Sequence, residues 1–211
     1  MKPIRIADAF SSKRLFASEF IGSSWDTWRA VLKATFAEPL STVELTTFHD
    51  VAGDRPPPSR RVSEAVFAVG RSGGKDSVAA MILAYVAMTF DPKAARLRGG
   101  EFAYVLCLAV DRDQAAIVFR YVAAHFENIP VLRAMVKDIG RDRIELKNRV
   151  IIEIRTNSIS LRFRRMRLLA QRRQRQPRRR IVRRCSTRPG PRAEFHVGDD
   201  LDRAQALRLA L

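Results

Sequence analysis

The chain has 211 residues, 46% of them apolar, and a formal net charge of +17. That length suits one domain, or one domain with a tail, and the apolar share excludes a wholly disordered or fibrous chain. The longest apolar run, Val78 to Met88, is too short to span a bilayer, and no secretory leader pattern opens the sequence.

Charge is unevenly spread. Residues 1–160 hold 23 basic and 18 acidic side chains, whereas residues 161–211 hold 16 basic and 4 acidic ones. All seven lysines precede position 148, so every cation of the last segment is arginine. Cys107 and Cys185 stand far apart and fit neither a disulfide framework nor a metal spacing. The expectation is a soluble, intracellular protein.

Residues 1–60 read as a helical lead-in. Trp25, Trp28, Val31, Leu32 and Phe36 recur at three- and four-residue spacing behind Ser23-Ser24 as a cap. Ser41-Thr42-Val43-Glu44 has the capping-box pattern and opens a second helix toward Phe48. Gly53, Asp54 and Pro56-Pro57-Pro58 then force an extended connection.

From Glu64 the text alternates. Ala65 to Val69 reads as a buried strand, Val78 to Phe90 as an apolar helix, and Tyr104 to Val110 as a second buried strand. Asp111 would cap a helix from Gln114 to Phe126, and Cys107 falls in the core. His125, near that helix end, reads as a residue favoured by the dipole. Arg143 to Leu146 and Val150 to Ile154 flank Lys147-Asn148-Arg149 as a hairpin. Alternating strands and helices predict an α/β layer around a largely parallel sheet over residues 61–158. From Leu161 to Arg192 stand fourteen arginines and no acid, so residues 159–211 read as a disordered basic tail, with one short amphipathic helix over Leu201 to Leu211.

The sharpest motif is Gly70-Arg71-Ser72-Gly73-Gly74-Lys75-Asp76-Ser77, between a predicted strand and a predicted helix. Glycines let backbone N–H groups turn toward a phosphate, the helix presents its positive end, and a lysine reaches the outer phosphates. The match to the Walker A pattern is shifted: Val69 stands at the first glycine position, and Asp76, then Ser77, where a hydroxyl would hold Mg²⁺. Asp76 suits that metal, directly or through water. The competing reading is a glycine-rich strand-to-helix turn with a surface lysine.

Several segments in order resemble the large terminase subunits of tailed phages, the ATPases that package DNA. They are Trp25 to Ala34, Gly53-Asp54-Arg55-Pro56-Pro57, the loop Gly70 to Asp76, Gly100-Glu101, Asp111-Arg112-Asp113-Gln114-Ala115, and Ile154 to Ser158. The resemblance covers about residues 20–158. It implies a P-loop fold with a mostly parallel sheet flanked by helices, binding ATP with Mg²⁺. Lys75 would contact the β- and γ-phosphates, and Arg71 would sense or stabilise the γ-phosphate. Gly70, Ser72, Gly73 and Gly74 would form the cradle, Asp76 and Ser77 would hold the metal, and Arg55 would lie near the adenine. The implied partners are double-stranded DNA, a portal ring and a small terminase subunit, in the cytoplasm of a bacterial host and with no membrane. Asp113 and Gln114 would lie at the ligand edge, with helix capping as the alternative.

A packaging motor also needs an apolar strand ending in Asp-Glu and a nuclease domain, and the sequence offers neither. The nearest segment, Phe195-His196-Val197-Gly198-Asp199-Asp200, carries His and Gly within the would-be strand and no Glu after the acids. The expectation is therefore a terminase fragment, truncated or frameshifted after about residue 158, with hydrolysis impaired. The alternative is a non-enzymatic nucleic-acid-binding protein acting through its arginines.

Overall fold

The computed structural model describes residues 4–109, 112–156, 194–197 and 205–210. The lead-in is helical: α1 (Ile6–Ser11), a 3₁₀ turn (Ser23–Trp25), α2 (Asp26–Thr35) and α3 (Thr42–Ala52). Ser23-Ser24 does not cap α2. The two serines belong to the 3₁₀ turn, and α2 starts from Trp25 without a side-chain cap. The capping box of α3 is present, with the Ser41 hydroxyl accepting from the Glu44 N–H and the Glu44 carboxylate accepting from the Ser41 N–H. Glu44 also pairs with Lys33, so the same carboxylate ties α3 to α2.

Then follow β1 (Glu64–Val69), α4 (Lys75–Thr89), β2 (Ala103–Ala109), α5 (Arg112–Asn128) and α6 (Pro130–Arg133). The strands β3 (Val136–Ile139), β4 (Arg143–Leu146) and β5 (Val150–Thr156) complete the continuous part. The described pieces of the C-terminal segment are β6 (Glu194–Val197) and β7 (Gln205–Ala210).

The expectation of one mostly parallel sheet is wrong. The described residues form two sheets, ordered β6-β1-β7 and β2-β5-β4-β3. Among them β1–β6 and β2–β5 pair in parallel, while β1–β7, β3–β4 and β4–β5 are antiparallel. The alternation of strand and helix was legible, but it does not say which strands meet. After α4 the chain enters a different sheet, so β1 and β2 never share hydrogen bonds. A meander of β3, β4 and β5 then supplies antiparallel ladders, the last being the expected hairpin.

The expected tail also needs correction where it is described. Gln205 to Ala210 is a strand antiparallel to β1, with Phe67 opposite Leu207, and not a helix. Glu194 to Val197 runs parallel to β1, with Val69 opposite Val197. The remaining residues of 157–211, including the arginine run and Cys185, lie outside the described residues.

Packing follows the apolar text. α4 is buried over most of its circumference, including Val78, Ala80, Met81, Ile82, Ala84 and Ala87, because α5, β2 and β5 all pack on it. Phe10, Phe16, Phe20, Phe48, Phe67 and Phe126 are among the largest fully buried side chains of the same core. The hairpin turn closes the far end of α4: the Asn148 amide donates to the carbonyls of Ala87 (2.9 Å) and Phe90 (3.3 Å), two acceptors left over at the helix C-terminus.

His125 stands in the last turn of α5, as expected, but it is buried there. Its side chain is 1% exposed, and Nδ1 lies 2.9 Å from the Glu19 carboxylate. The ring meets Phe16 edge-on, so it ties the segment before α2 to α5. Nε2 is buried without a hydrogen-bond partner among the described residues. Burial pushes the His125 pKa below its ordinary value, and the Glu19 carboxylate opposes that shift.

Candidate functional site

The loop expected to meet phosphate leaves β1 at Val69 and enters α4 at Lys75. Val69 is a buried core residue, so the strand end is anchored and the turn that follows is fixed at its base. Gly73 N–H donates back to the Gly70 carbonyl at 3.3 Å, closing the turn. Ser72 and Gly74 both adopt positive φ, +61° and +72°, with Gly73 between them outside that region. Alternation of this kind turns successive backbone N–H groups toward one side, as in anion-binding nests. The first N–H groups of α4 have no carbonyl one turn back within the helix and add to that surface, except that Val78 N–H reaches Gly74 O at 3.0 Å.

Two tryptophans of the lead-in close over this loop. The Trp28 indole N–H donates to the Gly73 carbonyl at 2.8 Å, and its ring lies 5.5 Å from Phe67 of β1. Trp25 covers Gly74 so closely that a Cβ there would sit 2.6 Å from the ring. At Gly73 a Cβ would come 2.4 Å from a Val69 methyl. Both glycines are therefore required by space, and Gly74 also by its backbone conformation. Sequence periodicity marked the two tryptophans as one helix face, which gave no hint that they reach a loop 45 residues away.

The remaining candidates divide. Arg71 and Ser72 are exposed at the loop tip, and Lys75, Asp76 and Ser77 are half-buried in the first turn of α4. Asp76 also lies near β2: burial, and behind it the Asp76 charge, push the Cys107 thiol up to about 11. Cys107 is half-buried and packs against the core, at its margin. The C-terminal half of β2 thus comes near the loop that follows β1. Arg55 lies in the exposed connection between α3 and β1. Asp113 is exposed in the first turn of α5, where a negative charge suits the helix dipole, while Asp111 lies outside the described residues.

Asp76 and Ser77 offer one carboxylate and one hydroxyl in the first turn of α4, oxygen donors of the kind magnesium takes. Among the described residues no group of three or more His, Cys, Asp or Glu side chains could hold a metal ion by itself. Among the same residues no helix is long and apolar enough to cross a membrane. Sequence reasoning discounted Phe195 to Asp200 because of its His and Gly, yet its first three residues belong to β6, directly beside β1. No protein-family model matches the chain, and no curated protein sequence matches it either.

Proposed function

We propose that the chain binds the phosphates of a nucleoside triphosphate, ATP with Mg²⁺, at the loop Gly70 to Ser77, as a fragment of the terminase large-subunit kind. The observation that carries this reading is the loop itself: a turn with two left-handed residues, Ser72 and Gly74, opening directly into α4 with Lys75 as its first residue. Lys75 would meet the β- and γ-phosphates, and Arg71, exposed at the tip, would approach the γ-phosphate. Gly70, Ser72 and Gly74 would contribute amides to the backbone cradle, which Gly73 shapes by closing the turn, Asp76 and Ser77 the metal ligands, and Arg55 a contact near the adenine. The order of motifs over residues 20–158 supports the packaging-motor origin, with DNA, portal and small terminase subunit as the corresponding partners. Hydrolysis would be slow, because no glutamate follows Asp199-Asp200 to activate water.

Calorimetric titration with Mg·ATP tests the reading. The wild type should give saturable binding, and Lys75→Ala should lose it while keeping the circular dichroism of the wild type. Absence of nucleotide binding in the wild type, or equal binding by Lys75→Ala, would refute it.

The excess of basic residues in 161–211 favours a second activity, nonspecific binding to nucleic-acid phosphates. Replacing the fourteen arginines of residues 161–192 with glutamine, which keeps β6 and β7, should abolish that binding, and Lys75→Ala should leave it unchanged. DNA binding that survives the arginine replacement would exclude that segment as its source.

A further inference from the structure

We propose that Trp28 is a positioning residue for the phosphate-binding loop, its indole N–H fixing which way the Gly73–Gly74 peptide faces. The inference rests on the nucleotide reading above. The described chain contains no cis peptide bond, so in each peptide unit the N–H points opposite to the C=O. With the Gly73 carbonyl held by Trp28 at 2.8 Å, the Gly74 N–H is turned away from the tryptophan. That N–H sits between the left-handed Ser72 and the start of α4, within the group of amides that a phosphate would meet.

The latch is rigid at both ends. Trp28 is only 7% exposed and rests on Phe67 of β1, so the indole cannot swing aside without disturbing the strand that launches the loop. On the other side, Trp25 lies against the Gly74 α-carbon and is itself held edge-on by Phe20 at 4.7 Å. A flip of the Gly73–Gly74 peptide would withdraw the acceptor from a largely buried indole N–H, a group that is expensive to leave unpaired. The lead-in therefore selects one of the two peptide orientations that two consecutive glycines would otherwise interchange freely.

The protein contains two tryptophans, Trp25 and Trp28, so labelling the full chain with 5-fluorotryptophan gives two ¹⁹F resonances. The Trp25→Phe variant assigns them. On titration with Mg·ATP, the Trp28 resonance should shift with the same saturation constant that calorimetry gives. Trp28→Phe keeps an aromatic ring on Phe67 but removes the donor, and should weaken Mg·ATP binding about three- to tenfold. Its circular dichroism should match the wild type.

Should the wild type bind ATP and Lys75→Ala not, while Trp28→Phe binds as tightly as the wild type, the nucleotide reading stands and the positioning role is overturned. If Trp28→Phe does not fold, the labelled wild type decides: a Trp28 resonance unmoved at saturating Mg·ATP overturns the role. Failure of the wild type to bind Mg·ATP would overturn both.

Discussion

Replacing Gly74 with alanine loads the loop with two separable costs. The first is conformational: Gly74 has φ of +72°, and a residue with a Cβ is disfavoured there by about 1–2 kcal/mol. The second is steric, because the new methyl would lie 2.6 and 2.7 Å from two atoms of the Trp25 ring. Crowding of that kind costs about 1–3 kcal/mol where neighbours cannot fully yield. Trp25 is half-buried against Phe20, so it yields only in part. Gly74→Ala should therefore destabilise the wild type by about 2–5 kcal/mol, read as a lower urea midpoint at unchanged slope. In a Trp25→Ala background the steric part disappears, and the same substitution should cost only about 1–2 kcal/mol. The double-mutant cycle isolates the contact from whatever Trp25→Ala costs alone. Equal costs in the two backgrounds would refute the close approach of Trp25. A cost below about 0.5 kcal/mol in the wild type would refute the left-handed conformation.

Two other elements give sharp expectations. Burial holds the His125 pKa below its ordinary value of 6.5, so the unfolded chain binds more protons than the folded one as the pH falls. Stability should be full above about pH 6.5 and decline below it, and His125→Leu should flatten urea midpoints between about pH 7 and 5. An unchanged slope in His125→Leu would assign the pH dependence elsewhere. At the N-terminus, the Glu38 carboxylate accepts from the Ile6 N–H (2.6 Å) and the Ala7 N–H (3.1 Å), serving as a cap for α1 from 31 residues downstream. Glu38→Ala should cost about 1–2 kcal/mol and speed hydrogen exchange at Ile6 and Ala7. Unaltered exchange there would show that α1 is held by the packing of Ile6, Ala9 and Phe10 without the cap.

Local elements were written plainly in the sequence. The capping box at Ser41 and Glu44, the strand from Ala65 to Val69, the apolar helix after the glycine loop and the hairpin around Lys147 to Arg149 all depend on residues within a few positions of each other. Capping, periodicity and turn chemistry are short-range effects, so a short window of text contains their cause. Pairing between strands is another matter. Nothing local distinguishes a β1 flanked by β2 from a β1 flanked by residues 194–197 and 205–210, because all these segments offer the same backbone donors and acceptors.

The candidate site divides along the same line. That glycines and a lysine stand between a strand and a helix is legible from their order alone. Folding in three dimensions is what brings Trp28 to the Gly73 carbonyl, closes Trp25 over Gly74 and pairs His125 with Glu19 over 106 residues of chain. Those contacts come from side chains of the lead-in that rest on β1 and α5, Trp28 on Phe67 and Phe16 on His125. Burial is indifferent to distance along the chain, so a periodic apolar face announces that it will be covered without naming what will cover it.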